Sequence, residues 1–257
     1  TNLTPQGEGG DVSVDEDDLA DGSDTTKESL TQTGAFNISA PDGVDDLSIG
    51  GQAVITNGVF TAVSFATPLG HTLAITAYNA LTGEVTYSYT LNEKENHAAG
   101  LGENALFEDF AVVLTDLDGQ SDSDTLSVRI VDDVPTAVDD TDSIAAGSLG
   151  PATGNVITDA EGDGGADTKG ADGARVTAIA STNVPANTDT TADGSGNFSV
   201  AGQYGVLTLH QDGSYSYTRT DNDLPAIANA DDQFTYTYAD TNGAVSTATL
   251  TLAMLPQ

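Results

Sequence analysis

The sequence predicts an all-β protein built from two antiparallel β-sandwich domains in tandem. Short apolar runs recur throughout, and residues 85–91 alternate with period two, which is typical of a half-buried strand. Turn-forming pairs such as Asn57-Gly58 and Asp118-Gly119 separate these runs. The second half repeats the first, because residues 110–119 align without a gap with residues 234–243. The domains are therefore predicted to span residues 1–133 and 134–257.

The first half begins with a polar, Gly- and Asp-rich stretch over residues 1–29, interpreted as a flexible lead with the start of a first strand. Residues 92–103 lack strand character and are a candidate for a helical turn. Further strands are predicted at residues 34–40, 46–49, 52–56, 59–66, 72–78, 84–91, 106–115 and 125–131.

The second half has the same pattern of short strands separated by turns, with Asp-, Gly- and Thr-rich loops predicted over residues 158–172 and 183–196. Many short strands at regular spacing are typical of sandwiches or barrels. Strands are predicted at residues 136–144, 154–157, 174–181, 197–200, 205–210, 214–219, 233–239 and 245–254.

The composition is strongly acidic. Six Lys and Arg residues stand against 40 Asp and Glu residues, giving a formal net charge of -34. This balance argues against nucleic acid, which is bound by neutralising phosphates, and against anionic membrane surfaces, and it favours cations. The chain has no Cys, so its domains must rely on core size or on metal for stability. No apolar run is long enough to span a bilayer, so no membrane insertion is expected.

The acidic stretch Val131-Asp132-Asp133-Val134-Pro135 lies between the two predicted domains. Proline restricts its own backbone and that of the preceding residue, so this stretch should be an extended connector. Asp139 and Asp140 follow closely, and like charges at such density are costly unless water or a cation neutralises them. The hypothesis is a calcium-stiffened junction; an ordinary solvated acidic linker is the alternative.

Family motifs cover nearly all of the first domain. They include Ser39-Ala-Pro-Asp-Gly-Val44, Thr67-Pro-Leu-Gly70, Thr82-Gly-Glu-Val-Thr-Tyr-Ser-Tyr-Thr-Leu91, Leu106-Phe-Glu-Asp-Phe110 and Leu126-Ser-Val-Arg-Ile-Val-Asp-Asp-Val-Pro135. This set resembles the repeats of giant type I-secreted RTX adhesins of Gram-negative bacteria. The second domain is similar to the cadherin-like, VCBS-type repeats of the same proteins, through Gly202-Gln-Tyr-Gly-Val-Leu-Thr-Leu209, Asp212-Gly-Ser-Tyr-Ser-Tyr217 and Asp232-Gln-Phe-Thr-Tyr236.

The resemblance implies tandem Ig-like sandwiches that bind calcium and act as extender segments. Such segments hold a distal ligand-binding region away from the bacterial cell during surface attachment and biofilm formation. It further implies a secreted, cell-surface monomer whose partners are calcium and neighbouring domains of the same chain, and the chain is expected to be a piece of a longer one. Two features depart from the family: Ala253-Met-Leu-Pro256 lacks an Asp-Asp pair, and the Gly-rich nonapeptide calcium repeats are absent.

Topology suggests where the carboxylates gather. If the first and last strands of each sandwich run in the same direction, the final hairpin lies where the chain enters the domain. The hairpin at 116–119 should then lie beside residues 15–18, and the hairpin at 240–243 beside the junction. Calcium prefers six to eight oxygen ligands, whereas backbone capping by acidic turn residues is the alternative. The candidate calcium ligands are Asp132, Asp133, Asp139, Asp140, Asp240, Asn242, Asp15, Glu16, Asp17, Asp116, Asp118, Asp122 and Asp124.

A weaker calcium candidate is the loop that contains Asp159, Glu161 and Asp163, for which a solvated loop is the preferred interpretation. No candidate matches the EF-hand pattern.

Enzymatic activity is not expected. His71, His97 and His210 fit neither a nucleophile elbow nor a zinc motif, and each is interpreted as a surface or strand-edge residue. A carboxylate pair for glycoside hydrolysis stays open, because a separation cannot be read from sequence.

The alternative function is a calcium-dependent, lectin-like carbohydrate-binding module. Sugar sites usually present exposed aromatic residues, yet the chain has no Trp and its Tyr residues fall mainly in alternating strands. Tyr78, Phe107 and Tyr204 are the possible exceptions.

Overall fold

The computed structural model describes residues 1–100, 102–145, 147–159, 164–220 and 230–255. The chain divides into two compact units. Unit 1 comprises Thr1–His97 with Glu103–Asp133, and unit 2 comprises Ala98–Gly102 with Val134–Gln257. The fold class is confirmed, because each unit consists of two sheets of short, mainly antiparallel strands.

The strands of unit 1 alternate between buried and exposed positions, as in the burial pattern of the strand that holds Tyr87 and Tyr89. Two short 3-10 helices, Gln6–Glu8 and Glu16–Asp18, flank its first strand. The strands are β1 (Val12–Asp15), β2 (Thr31–Asn37), β3 (Val44–Ile49), β4 (Gln52–Thr56), β5 (Val59–Phe60), β6 (Val63–Ala66), β7 (Thr72–Asn79), β8 (Glu84–Thr90), β9 (Ala105–Asp116) and β10 (Ser121–Val131).

Unit 1 packs a six-stranded sheet, in the order β1-β10-β9-β3-β4-β5, with a four-stranded sheet, β2-β8-β7-β6. The first strand is parallel to the last, with Val12 opposite Val128 and Asp15 opposite Val131. Both strands therefore finish at the same end of the sheet, and the acidic residues that follow them lie side by side. The core between the sheets includes Phe36, Leu47, Ile49, Leu73, Ile75, Tyr87, Tyr89 and Phe110.

Unit 2 repeats this plan. Its strands are β11 (Asp140–Ile144), β12 (Ala152–Asn155), β13 (Ala174–Ser181), β14 (Thr188–Asp189), β15 (Asn197–Ala201), β16 (Gly205–His210), β17 (Ser214–Arg219), β18 (Asp231–Asp240) and β19 (Val245–Met254). One sheet has the order β11-β19-β18-β13-β14 and the other β12-β17-β16-β15, and β11 is parallel to β19. The core contains Phe198, Leu207, Leu209, Tyr217, Phe234, Tyr236, Tyr238 and Leu250.

Several boundaries differ from the sequence-based predictions. The strand predicted at 136–144 starts only at Asp140, and residues 136 and 168 form an isolated bridge before it. The short strand β14 lies in a segment predicted as loop. The helical turn considered for residues 92–103 is absent from the described residues of that segment. Within the described residues no helix is long and apolar enough to cross a membrane.

Candidate metal-binding sites

The acidic end of unit 1 forms where β1 and β10 both end. The 3-10 helix Glu16–Asp18 follows β1 directly, and Asp132 and Asp133 follow β10. The exposed fractions are 0% for Glu16, 1% for Asp132 and 4% for Asp133. Burying a carboxylate is expensive unless hydrogen bonds, a proton or a cation compensate the charge. The burial of these three carboxylates therefore creates an electrostatic demand for a positive charge at this end of the unit.

Glu16 is only partly satisfied by the protein. Its Oε1 accepts a hydrogen bond from the main-chain N–H of Glu95 at 2.6 Å and lies 3.1 Å from His97 Nε2. Its Oε2 is buried and has no hydrogen-bond partner among the described residues. Since an unpaired buried carboxylate oxygen is costly, Glu16 is the residue here whose geometry most clearly fits a bound cation.

His97 and Asp132 complete a three-residue cluster with Glu16. Each residue offers one ligand atom, and the three atoms lie within 4.8 Å of one another. Asn104 joins the two, with Oδ1 3.2 Å from His97 Nδ1 and Nδ2 3.3 Å from Asp132 Oδ2. Burial alone would lower the pKa of His97, but the hydrogen bond and charge of Glu16 outweigh it and raise that pKa.

A second cluster at the same end consists of Asp18, Asp24 and Glu28, whose ligand atoms also lie within 4.8 Å of one another. Asp18 is buried and its Oδ1 accepts from the main-chain N–H of Glu28 at 2.5 Å, whereas Glu28 is exposed. Asp133 accepts from the main-chain N–H of Ser23 at 2.7 Å and from its hydroxyl at 2.5 Å. The loop after the 3-10 helix thus folds back over the carboxylates.

Asp15 and Asp17 flank the start of the 3-10 helix. Asp15 Oδ1 caps the helix by accepting from the main-chain N–H of Asp17 at 3.2 Å. Burial, followed by the charge of Asp15, raises the pKa of Asp17 to about 6. Burial also raises the pKa of Asp15. Both shifts show that negative charge at this end is energetically unfavourable, and a bound cation would relieve it.

The predicted neighbourhood of the 116–119 hairpin is wrong. This hairpin joins the start of β10, whereas Asp15 pairs with Val131 at the other end of the strand, which is about 35 Å long. Asp116 Oδ1 accepts from the main-chain N–H groups of Asp118 and Gln120. Asp118, Asp122 and Asp124 are exposed, and the last two accept from the next residue's N–H. These four carboxylates match the alternative of backbone capping.

In unit 2, Asp240 and Asn242 lie in the β18–β19 hairpin, as predicted from the turn sequence. Asp240 Oδ1 accepts from the main-chain N–H groups of Gly243 and Ala244, while its buried Oδ2 has no partner within the described part of the chain. Asp172 lies close by, with one carboxylate oxygen within 4.8 Å of one from Asp240. Asn242 Nδ2 donates a hydrogen bond to Asp172 Oδ2 at 2.5 Å, so the Asn242 amide binds one of the two paired carboxylates.

A cavity of about 370 Å³ lies beside Asp172 and Asp240 and is also lined by Arg175.

Asp139 and Asp140 do not join that pair. Asp140 is opposite Leu250, about 17 Å along β19 from the hairpin. Its Oδ2 lies 3.2 Å from the hydroxyl of Tyr236, which also contacts both oxygens of Asp167. Asp139 is exposed and accepts from the main-chain N–H of Thr249. The predicted grouping of these two aspartates with Asp240 and Asn242 is therefore wrong.

Among the weaker candidates, Asp159 accepts a hydrogen bond from the main-chain N–H of Gly164. Glu161 and Asp163 lie outside the described residues.

The interpretation of all three histidines as surface or strand-edge residues is wrong for two of them. His71 is fully buried, its Nδ1 accepts from the main-chain N–H of Asn92, and its Nε2 lies 3.2 Å from Glu95 Oε1. His97 is buried beside Glu16. Only His210 has a partly exposed ring, 2.9 Å from Asp212. Residues 92–97 lack any periodicity, so no sequence signal indicated that they fold over the core.

No protein-family model and no curated protein matches the chain. Among solved structures, it is similar to chicken VE-cadherin EC1-2, with 11% identity, 95% of this chain and 96% of that chain covered, and a TM-score of 0.29. A second is DIP-gamma IG1+IG2, with 6% identity, coverage of 96% and 94%, and a TM-score of 0.32. Drosophila N-cadherin EC1-4 has 10% identity, coverage of 82% and 41%, and a TM-score of 0.31. Likenesses at this level do not indicate a shared function.

Proposed function

We propose that the chain is a calcium-rigidified extender segment of a large bacterial cell-surface adhesin. In this proposal the two units are consecutive modules of an extracellular chain. Calcium bound by the carboxylates at the acidic end of unit 1 stiffens the connection to unit 2. This stiffness helps to hold a distal binding region away from the cell. The role is mechanical and requires no catalysis.

The observation that carries the calcium proposal is the buried Oε2 of Glu16, beside Asp132, which has no hydrogen-bond partner among the described residues. Asp15, Asp17 and Asp133 add further carboxylate oxygens at this end of the unit, and calcium binds such oxygens in flexible geometry. The donor set therefore fits calcium. In unit 2, the buried Oδ2 of Asp240 and the neighbouring Asp172 offer a second group of oxygen donors.

The extracellular setting supports the same proposal through mass action. Extracellular modules bind calcium at roughly 0.1–1 mM. A ligand at ten times its dissociation constant stabilises the folded state by about 1.4 kcal/mol per site. A few sites would thus supply a sizeable part of a domain's stability outside the cell and little of it inside, where free calcium is low.

The adhesin context rests on the sequence resemblance and on the composition. A net charge of -34 and the absence of Cys favour a chain that obtains stiffness from cations instead of disulfides. The lectin-like alternative receives less support. All fifteen aromatic residues lie in the described part of the chain, and every one is buried or half-buried, including Tyr78, Phe107 and Tyr204.

The proposal is tested by small-angle X-ray scattering and thermal melting of one sample in calcium and in chelator. We expect a longer, stiffer particle and a higher Tm in calcium, and we expect Glu16→Gln to lose most of both effects. Asp118→Asn is the matched control, because Asp118 is exposed in the distant hairpin. Identical scattering and melting with and without calcium would reject the proposal.

A further inference from the structure

The neighbours of the His97 ring determine which of its two nitrogens carries the proton, and this goes beyond the calcium proposal. Asn104 Nδ2 is the amide atom that faces Asp132 Oδ2, and an ionised carboxylate can only accept hydrogen bonds. The Asn104 amide oxygen must then face His97 Nδ1, 3.2 Å away. Because an amide oxygen is also only an acceptor, Nδ1 of His97 must carry the proton that the two atoms share.

In the neutral ring this leaves Nε2 of His97 with a bare lone pair. That nitrogen lies 3.1 Å from Glu16 Oε1, which already accepts the main-chain N–H of Glu95. Two electron-rich atoms at this distance repel each other unless a positive centre lies between or beside them. Either a second proton on the ring or a metal ion satisfies that requirement.

The donor set distinguishes among metals. Calcium is a hard cation that takes oxygen ligands, whereas an imidazole nitrogen with carboxylates suits first-row transition ions, zinc among them. His97, Glu16 and Asp132 are 7%, 0% and 1% exposed, and their donor atoms lie within 4.8 Å of one another. The Asn104 contact to the far ring nitrogen is the kind of outer partner that holds a ligating histidine in place.

We propose that His97, Glu16 and Asp132 bind a first-row transition-metal ion such as Zn²⁺ within unit 1. The inference rests on the proposed function only in that calcium is expected to use Glu16 and Asp132 as well. The two ions would then compete, and His97 would set the selectivity of this end of the unit.

Such an ion would also tie three separate chain segments together. Glu16 follows β1, Asp132 follows β10, and His97 lies in the connection between β8 and β9. Bound metal would hold that connection against the paired ends of β1 and β10.

The test uses the intact chain and zinc as the probe. With only three histidines, long-range ¹H–¹⁵N spectra can be assigned by His97→Gln, His71→Gln and His210→Gln. One equivalent of ZnCl₂ should move the Nε2 resonance of His97 alone, and calorimetry should show an affinity loss of at least about tenfold in His97→Gln. His210→Gln, which alters a ring outside the cluster, should bind zinc like the unaltered chain.

A His97 ring that is doubly protonated and unmoved by zinc would overturn the proposal, as would unchanged zinc affinity in folded His97→Gln. The wild-type spectra decide the matter even if that variant fails to fold. Calcium titrations separate the two proposals: a calcium-induced rise in Tm without a zinc response rejects only the zinc site. A zinc response without any calcium effect rejects only the calcium function.

Discussion

At the scale of single residues, Asp232 shows how hydrogen-bond donors of the protein compensate a buried carboxylate. The residue is fully buried in β18, and its oxygens accept from the main-chain N–H groups of Gln203, Tyr204 and Gly205 and from the hydroxyl of Tyr217. Four donors compensate for the lost hydration of the charge. Glu16 contrasts with it, because one of its buried oxygens has no such donor among the residues that the structure describes.

Replacing Asp232 with Ala should therefore destabilise unit 2 strongly. Three main-chain N–H groups and one hydroxyl would lose their acceptor, and we expect a loss of about 3–4 kcal/mol in the free energy of unfolding. Urea denaturation measures this loss. Asp231→Ala is the control, since Asp231 accepts from the Gln233 side chain at 3.3 Å and should cost less than about 1 kcal/mol. Similar losses in the two variants would contradict this account of Asp232.

Asp167 gives unit 2 a predictable dependence on pH. Burial raises its pKa to about 6 from 3.8, despite hydrogen bonds from the Val138 N–H and the Tyr236 hydroxyl that act in the opposite direction. The folded state thus holds this proton more tightly than the unfolded state. Its stabilising contribution is complete below about pH 4, declines as pH rises, and is lost above about pH 6.

We expect Asp167→Asn to reduce the fall in unfolding free energy between about pH 4 and pH 7 by about 1 kcal/mol, allowing for the partial exposure of the group. Denaturation at several pH values, with Asp118→Asn as the exposed control, measures the difference. Parallel pH profiles for the wild type and Asp167→Asn would show that Asp167 does not supply the dependence.

At the scale of elements, the sequence predicted strands well where alternation is clear. The strands β13, β16, β17 and β19 have the predicted bounds, because their apolar faces are regular and turns enclose them. The parallel pairing of first and last strands also followed from the sandwich plan. What failed was the position of acidic residues along those strands. When the first and last strands are parallel, the final hairpin lies near the start of β1. Residues 15–18, however, follow the end of β1.

The candidate site was predictable only in part for a related reason. Runs such as Asp132-Asp133 are visible in the sequence, and their position at a strand end follows from the preceding apolar residues. His97 and Asn104 lie in an irregular connection whose path depends on long-range contacts, notably the Glu95 N–H to Glu16 hydrogen bond. No periodic pattern encodes such contacts.

The β8–β9 connection should depend on Glu16 for its order. Glu16→Ala would remove the acceptor of the Glu95 N–H and the partner of His97. Trypsin can report the result because Lys94 is exposed and the chain has only six Lys and Arg residues. We expect cleavage after Lys94 about tenfold faster, which corresponds to easier local opening by about 1.4 kcal/mol.

Mass spectrometry of the fragments separates local from global opening. Cleavage after Arg129, within β10, should stay slow if only the connection is released. Glu8→Ala, at an exposed carboxylate of the same unit, should leave both rates unchanged. Equal acceleration after Lys94 and Arg129 in Glu16→Ala would mean that Glu16 stabilises the whole unit.

At the scale of the whole molecule, the dominant quantity is the net charge of -34. Repulsion among like charges opposes the compact state, and salt screens it over a distance that shortens from about 30 Å at 0.01 M to about 8 Å at 0.15 M. Added NaCl should therefore raise the Tm even where no ion binds at a defined site. Any effect of calcium has to be separated from this general screening.

A comparison at matched ionic strength makes that separation. NaCl, MgCl₂ and CaCl₂ should raise the Tm equally if screening alone acts, since screening depends on ionic strength and not on the identity of the ion. Defined oxygen sites instead favour calcium over magnesium, which sheds its water reluctantly and demands a stricter octahedral geometry. We expect about 1 mM calcium to raise the Tm by at least roughly 2–4 °C more than magnesium does, which is the shift that about 1 kcal/mol produces in a chain of this size.

The Glu16→Gln variant should lose most of that calcium-specific excess yet keep the full response to NaCl, because it changes one of 40 acidic residues. Equal shifts in all three salts would assign the acidic clusters to solvated surface charge.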